Sequence, residues 1–345
     1  MVKIIILSIL LVVITSCTPS HNYVHNVELT ESELIYSDSV NLFSISDFNI
    51  YENTLIFMCI DQDEIFSFLD LDAKKLIKFG AKGRATNEFI QVSNKFRIHD
   101  SYLVVNDFGR KTVFCIPIKK ILYNDSARVE FFKYPYSRNF RPKDFIITDY
   151  HKVGIGSFSD SMLGVLDLND NISNIAIPYL FDGEKIEGIY KGSIYQTLIQ
   201  KQPDGNKFVV SILSSDLFAI YESFDNGIKT IFKSIGGNIP VLKEKAGDFI
   251  NYAIDYKKSL AGYTNLYATK DCIYMGYSDL PYEKYANAGT IKKIHCYNWE
   301  GEQICIYHLP EEISRFCIKK DFIYALKEDS DCTKVYRIKL NLREL

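Results

Sequence analysis

The chain has 345 residues, of which 47% are apolar, and its formal net charge at pH 7 is −3. That length and composition supply enough apolar material for a sizeable core, which a large all-β fold can build as one domain. Because charges of both signs are scattered along the sequence, it contains no basic stripe of the kind that nucleic acid requires. We therefore expect no nucleic-acid partner.

The first residues are typical of an export signal. A basic residue, Lys3, precedes an apolar run over residues 4–14 that only Ser8 interrupts. A membrane-spanning helix needs roughly 20 apolar residues, and this run has about half of them. The segment then ends in Ile-Thr-Ser-Cys17, which resembles the lipobox of bacterial lipoproteins, where the cysteine carries a diacylglycerol. We predict a signal peptide over residues 1–16 and lipid attachment at Cys17; the alternative is an ordinary secretory signal that happens to end in cysteine.

Residues 17–26 are polar and lack apolar periodicity, which indicates a lipidated tether between the membrane and the folded domain. No acidic residue occurs after Cys17 until Glu28. In lipoproteins of the Bacteroidetes type, an acidic cluster just after the lipidated cysteine resembles a surface-export signal. Its absence favours an outer-membrane lipoprotein that faces the periplasm rather than the cell surface.

An internal repeat predicts the fold of residues 27–345. Each of six segments begins with a polar turn, followed by a strand rich in β-branched and aromatic residues; they start at Asn53, Asp100, His151, Gly205, Lys270 and Lys320. The spacings are 47, 51, 54, 65 and 50 residues. Since a four-stranded propeller blade takes roughly 40–50 residues, we predict an all-β, six-bladed β-propeller with blades of about four antiparallel strands.

A second marker recurs later in most repeats, where a strand runs through an Asx-containing turn into another strand. It lies at residues 71–76, 168–172, 224–228 and 297–302, and it predicts the outer hairpin of a blade. In the last case, Asn298 to Gly301 fits a type I turn with a glycine bulge. This register places Cys296 opposite Ile304, so we predict no disulfide between Cys296 and Cys305.

Two further features concern the ends and the longest repeat. Only about two strands follow Lys320, so we expect residues 27–43 to supply the missing strands of the last blade and to close the ring. Residues 241–262, in the longest repeat, carry the best helical pattern in the chain and predict a helix inserted at the rim.

Three segments give the sequence a family resemblance. The strand Ile-Tyr-Met-Gly-Tyr-Ser at 273–278 is followed by a strand at 294–301 that ends in a Trp-x-Gly turn and then by the segment at 309–316; the third feature is a Gly-rich stretch at 79–89 that ends in Glu-Phe. Together they resemble the TolB-like six-bladed propeller lipoproteins of Bacteroidetes, although the usual proline before the glutamate is missing here. The resemblance spans almost the whole mature chain and implies the propeller fold, but it transfers no catalytic residue.

Signatures of catalysis and metal binding are absent from the sequence. It has no Gly-x-Ser-x-Gly elbow, no His-Glu-x-x-His pair and no phosphate-binding glycine loop. The six histidines are scattered, and the seven cysteines after Cys17 contain no Cys-x-x-Cys pair. Paired carboxylates such as Asp61 with Asp63 are better explained as turn formers than as calcium ligands or an acid–base pair. We therefore expect no metal and no cofactor.

Two loops are the candidate ligand-binding segments. In residues 80–88, the glycines permit positive φ angles, while Arg84, Asn87 and Glu88 supply a guanidinium, an amide and a carboxylate. A purely structural loop, in which Glu88 caps a turn, would have the same sequence. Tyr282 and Tyr285 could stack on a sugar, or they could fill the interface between two blades.

The leading hypothesis is a membrane-anchored, monomeric envelope lipoprotein without enzymatic activity. It would bind a peptide, a protein partner or a glycan at the wide, loop-lined end of the propeller axis. The alternatives are a glycan-active hydrolase or lyase on the same scaffold, and a structural subunit of an envelope complex.

The lipid anchor can be tested by replacing Cys17 with alanine. The exported Cys17→Ala protein should move from the membrane fraction to the soluble fraction, because the acylated thiol is lost. Fractionation followed by immunoblotting measures this, with Cys332→Ala as the control that stays in the membrane. Unchanged membrane association of Cys17→Ala would contradict the anchor.

Overall fold

The structure is a computed structural model, and it describes residues 24–38, 42, 44–85, 88–123, 129–180, 186, 191–192, 194–235, 237–244, 252–288, 290–329 and 332–340. The predicted signal peptide and Cys17 lie outside these residues. Within the described ranges, no helix is both long enough and apolar enough to cross a membrane.

Six antiparallel sheets form a ring, so the predicted six-bladed β-propeller is confirmed. The first two strands, which join blades completed later in the chain, are β1 (His25–Glu28) and β2 (Ser32–Asp38). Blade 1 contains β3 (Asp47–Tyr51), β4 (Thr54–Met58), β5 (Glu64–Asp70) and β6 (Leu76–Ala81). Blade 2 contains β7 (Val92–His99), β8 (Tyr102–Asp107), β9 (Thr112–Pro117), the short helix α1 (Ile118–Leu122) and β10 (Val129–Lys133).

The remaining blades follow in chain order. Blade 3 contains β11 (Phe140–Ile147), β12 (Lys152–Phe158) and β13 (Leu163–Leu166). Blade 4 contains β14 (Thr197–Lys201), β15 (Lys207–Ile212), β16 (Phe218–Phe224) and β17 (Gly227–Lys233), and a hairpin of β18 (Leu242–Glu244) and β19 (Tyr252–Ile254) follows it. Blade 5 contains β20 (Leu260–Ala268), β21 (Cys272–Pro281), helix α2 (Tyr282–Ala288), β22 (Ile291–Asn298) and β23 (Gln303–Ile313). Blade 6 contains β24 (Arg315–Lys319), β25 (Phe322–Glu328) and β26 (Thr333–Lys339).

Every predicted repeat falls on the same structural position. All six segments start at the turn between the first and second strands of a blade. In four of these turns a non-glycine residue has a left-handed φ of 47 to 56°; the four are Glu52, Asp100, Asp204 and Lys320. The predicted outer hairpins likewise connect β5 to β6, β16 to β17 and β22 to β23, and at residues 168–172 they lead from β13 to a bridge between Leu166 and Ile172.

Packing between blades explains why the second strands are so apolar. All five residues of β4 are buried, and they alternate between two neighbours. Leu55 and Phe57 pack against blade 6, whereas Ile56 and Met58 pack against blade 2. Among the described residues there are six such apolar clusters, one at each junction between neighbouring blades. Each blade therefore buries both of its faces, one against the preceding blade and the other against the following blade.

The N-terminal segment closes the ring but serves two blades. As predicted, β2 completes the last sheet by pairing antiparallel with β26. Strand β1 pairs in parallel with β23 of blade 5 instead, with His25 opposite Cys305 and Glu28 opposite His308. Blade 6 lacked only one strand, which β2 supplies. Strand β1, which precedes β2, therefore pairs with the free edge of blade 5.

The register predicted for the hairpin of β22 and β23 is wrong. The turn itself forms, since the Asn298 N–H donates to the Glu302 carbonyl at 3.0 Å. A shift in register between Cys296 and Tyr297 then pairs Cys296 with Cys305 instead of Ile304. Both thiols are buried, and both are free cysteines in the structure. The bulge cannot be seen in sequence because both registers leave apolar residues buried.

The helix predicted over residues 241–262 is also wrong where the chain is described. Leu242 pairs with Ile254 and Glu244 with Tyr252 in the antiparallel hairpin of β18 and β19. Leu242 and Ile254 both pack against the apolar cluster between blades 3 and 4. Tertiary packing of two apolar side chains thus outweighs a weak local helical pattern.

Ring closure can be tested at Phe57. Its fully buried ring stacks on Phe48 with centroids 5.4 Å apart, in the cluster between blades 6 and 1. Phe57→Ala should lower the free energy of unfolding by about 3–5 kcal/mol, because it leaves a cavity at that junction. Denaturant unfolding measures the loss. Leu168→Ala, at a side chain that is 54% exposed, is the control and should change stability by less than about 0.5 kcal/mol. A cost below about 1 kcal/mol for Phe57→Ala would contradict this packing.

Candidate functional site

The first strands of all six blades line a central channel with a volume of about 220 Å³. These strands begin at one face of the propeller, which we call the entrance face. The connections between blades and the turns between second and third strands lie at that face. The turns that follow the first strands, such as the turn at Lys320, lie at the opposite face.

Polar and charged side chains fill the channel where the first strands converge. Four cationic side chains, Lys95, Arg97, Lys143 and Arg315, share it with two carboxylates, Asp47 and Asp144. The channel is therefore electropositive. Those of these side chains that are buried require partners, because an isolated charge is costly to bury.

Asp47 joins blades 1 and 2. One carboxylate oxygen accepts a hydrogen bond from Lys95 Nζ at 3.0 Å, and the other accepts one from the backbone N–H of Phe96 at 3.0 Å. Burial lowers the pKa of Lys95, and the nearby Asp47 carboxylate partly offsets this effect. The pair fixes the position of β7 relative to β3.

Arg97 connects three blades. Its Nη1 forms an ion pair with Asp144 of blade 3 and also donates to the Phe145 carbonyl at 3.1 Å. Its Nη2 donates to the Ile199 carbonyl of blade 4 at 2.8 Å. Burial raises the pKa of Asp144, although the Arg97 contact acts in the opposite direction. In the described chain, the buried Nε of Arg97 has no hydrogen-bond partner.

An aromatic ledge borders the entrance of the channel. Tyr282 and Tyr285, on helix α2, both line the channel. The sequence had offered these two tyrosines as candidates for stacking on a ligand. Tyr282 stacks on Tyr256 with ring centroids 4.7 Å apart, and it lies 6.2 Å from Tyr285. Tyr256 is 48% exposed, so the ledge presents aromatic surface to solvent beside the charged channel.

The loop over residues 80–88 also lies at the entrance face, but it does not join the channel. Glu88 accepts a hydrogen bond from the backbone N–H of Ala85 at 2.8 Å, and its carboxylate occupies the space that a Cβ at Gly83 would need. Arg84 is exposed, and its carbonyl accepts a hydrogen bond from Arg110 at 3.1 Å. Asn87 lies outside the described residues. The contacts of Glu88 thus match the structural explanation of this loop.

Sequence reasoning did not find the channel charges. Lys95 and Arg97 occupy alternate positions in β7, and Asp144 lies in β11. In a sequence, charged residues on one face of a strand suggest that this face is exposed to solvent. A partial signal was present, because all six channel charges lie in the first strands of their blades, although Arg141 of β11 lies outside the channel. Using it requires knowing which strand of the repeat comes first.

A second cleft of about 560 Å³ lies between blades 4 and 5. At its centre, Tyr263 Oη lies 3.2 Å from His295 Nδ1 and 2.7 Å from Tyr297 Oη. Tyr277 stacks on the His295 ring at 4.7 Å. Burial, together with the positive charge of Lys293 and the nearby His308, lowers the pKa of His295 to about 4. His295 is therefore neutral near pH 7. Across the described residues, no cluster of three or more His, Cys, Asp or Glu side chains could hold a metal.

Comparison with solved structures supports the fold assignment. A Bacteroides fragilis protein described as exported has a TM-score of 0.54 and 13% identity, over 92% of this chain and 99% of that protein. BamB from Moraxella catarrhalis has a TM-score of 0.37 and 13% identity, over 83% of this chain and 82% of BamB. No protein-family model matches the chain, and no curated protein matches it in sequence. The likeness to the Bacteroides fragilis protein shows a shared fold alone, and the likeness to BamB is too weak to carry an argument. The arrangement of its own sheets makes the protein a six-bladed β-propeller.

The state of His295 predicts a pH dependence of stability. The pKa of this histidine is about 4 in the folded chain, against about 6.5 for an unperturbed imidazole, so the unfolded chain takes up the proton first as pH falls. The free energy of unfolding should therefore decrease as pH falls from about 6.5 towards 4, by at most about 1.4 kcal/mol per pH unit. Partial exposure of the side chain makes the measured slope smaller.

Urea unfolding at several pH values measures this slope. His295→Gln should flatten it, whereas Leu168→Ala, at an exposed position without a titratable group, should leave it unchanged. Comparing slopes rather than absolute stabilities separates titration from any packing defect of the variant. Equal slopes in the wild type and His295→Gln would rule out the buried neutral imidazole.

Proposed function

We propose that this chain is a lipid-anchored binding module of the bacterial envelope that holds a partner molecule at the entrance of its channel. The observation that carries the proposal is the placement of Tyr282 and Tyr285 beside an electropositive channel. Aromatic surface next to a few fixed polar groups is the usual composition of a binding site. The TolB-like resemblance, the anchor at Cys17 and the periplasm-facing outer-membrane location belong to the same proposal.

The channel carboxylates favour binding over glycan hydrolysis. Glycosidases use one carboxyl as an acid and a second as a base or nucleophile. Burial raises the pKa of Asp144, as a general acid would require. The second carboxylate, Asp47, is already occupied by Lys95 and by the N–H of Phe96, which leaves it poorly placed to accept a proton or attack a sugar.

The proposal can be tested by photo-crosslinking in the envelope. Tyr285 is replaced by benzoylphenylalanine in the full lipidated chain, and Lys320, on the opposite face, is replaced in the same way as the control. Irradiation should yield adducts from position 285 and none from position 320, detected as mass shifts with staining for protein and for glycan. Tyr282→Ser should reduce the yield at position 285 several-fold, because it removes the ring that lies between Tyr256 and position 285 in the ledge.

Two outcomes would contradict the binding site. One is equal crosslinking from both faces, and the other is no adduct from position 285. Circular dichroism of each variant establishes that the propeller is folded, so a negative result reports on binding. Release of reducing ends from envelope polysaccharide by the wild type would instead favour the glycan-hydrolase alternative.

A further inference from the structure

A broad groove of about 870 Å³ crosses the entrance face over blades 1 to 3. Its cationic lining residues are Lys82, Lys111, Arg141 and Lys143, and we call it the basic groove. It also opens into the channel entrance, because Ser93, Asn94, Lys143 and Gln196 line both spaces. The groove is several times larger than the channel and is near the upper end of the roughly 300–1,000 Å³ of typical ligand clefts.

Charge in the basic groove is of one sign. All four cationic side chains are exposed, and none forms an ion pair within the described chain. None of the lining residues is Asp or Glu. This local excess of positive charge contrasts with the net charge of −3 of the whole chain. An exposed cluster of one sign attracts an oppositely charged partner.

The carboxylate beneath the groove does not neutralise it. Asp107 is fully buried and accepts hydrogen bonds from the N–H groups of Ile90 at 2.9 Å and Gln91 at 3.1 Å. It also accepts one from the N–H of Arg110 at 3.1 Å and lies 3.6 Å from its Nε. The Asp107 carboxylate is thus hydrogen-bonded to the backbone of the connection between blades 1 and 2 and to Arg110.

Apolar side chains line the same groove as the cations. Ile60, Ile90 and Phe108 line the groove, and Ile90 is 45% exposed. Removing such apolar surface from water favours complex formation. The groove has two aromatic rings that a sugar could use: Lys111 Nζ lies over one face of Tyr136, 5.3 Å from the ring centroid, and Phe108 is only partly exposed. Aliphatic side chains among cations fit a peptide better than a glycan.

We propose that the basic groove binds a peptide segment of a partner protein in which acidic and apolar side chains alternate. This inference rests on the proposed binding function and specifies the class of partner. The carboxylates of the peptide meet Lys82, Lys111 and Arg141, and its apolar side chains contact Ile60 and Ile90. Lys143, shared with the channel, places one end of the peptide beside the entrance.

Fluorescence anisotropy with synthetic peptides tests the proposal on the full chain in detergent. The probe is a labelled twelve-residue peptide of alternating glutamate and leucine. A lysine–leucine peptide tests charge, a glutamate–serine peptide tests the apolar contacts, and polygalacturonate tests an acidic glycan. The glutamate–leucine peptide should bind at least about tenfold more tightly than each of the other ligands, and its affinity should fall as salt is raised from 50 to 300 mM.

Charge-reversal variants locate the site. Lys82→Glu with Arg141→Glu should weaken binding by at least about tenfold, while Lys270→Glu with Lys320→Glu, the same change on the opposite face, should leave affinity unchanged. The neutral pair Lys82→Gln with Arg141→Gln should give an intermediate loss, and it serves as the test if the reversed variant does not fold.

Three results would overturn the proposal: equal loss of affinity in both charge-reversed variants, no preference for the glutamate–leucine peptide over the lysine–leucine peptide, or tighter binding of polygalacturonate. Crosslinking from position 285 separates this failure from failure of the proposed function. If Lys82→Glu with Arg141→Glu leaves the adducts from that position unchanged, the channel entrance binds a partner and the basic groove does not take part.

Discussion

Apolar packing between neighbouring blades is the interaction on which the rest of the structure depends. Strand β4 shows the principle, since Leu55 and Phe57 contact one neighbour while Ile56 and Met58 contact the other. A single blade would leave both sets exposed, so no blade is stable without the next one. The six clusters must therefore form a closed series, and the cluster between blades 6 and 1 completes it. Pairing of β2 with β26 gives that last junction a full sheet.

The same closure creates the polar channel. First strands converge at the axis, where side chains face one another across blades instead of packing into an interface. Asp47 and Lys95 then pair across blades 1 and 2, and Arg97 reaches Asp144 and the Ile199 carbonyl across blades 3 and 4. These contacts compensate the cost of burying charge and set the relative positions of the blades. Within the residues described, the channel charges thus join neighbouring blades, and they also lie next to the tyrosine ledge at the channel entrance.

The two faces of the ring differ because different connections reach them. Short turns after the first strands occupy the face that carries Lys320, whereas the entrance face carries the links between blades and helix α2. Those links bring the tyrosine ledge and the basic groove to one side of the molecule. Loops that a rigid ring positions at its rim are the usual location of binding surfaces in such folds. Glu88, by contrast, is engaged with Ala85 within its own loop.

Local sequence was sufficient for the parts of the fold that local chemistry determines. Polar turns before apolar strands located all six blades, because the turns after the first strands need residues that tolerate left-handed φ, as at Asp100 and Asp204. Tertiary structure alone decided which neighbour each face meets, the bulge that pairs Cys296 with Cys305, and the hairpin of β18 and β19. Apolar and polar residues that alternate along a strand show that the strand has two different faces, but they do not show which neighbour covers each face. The channel and the basic groove were hidden for the same reason, since their residues come from separate blades and meet only when the ring is closed.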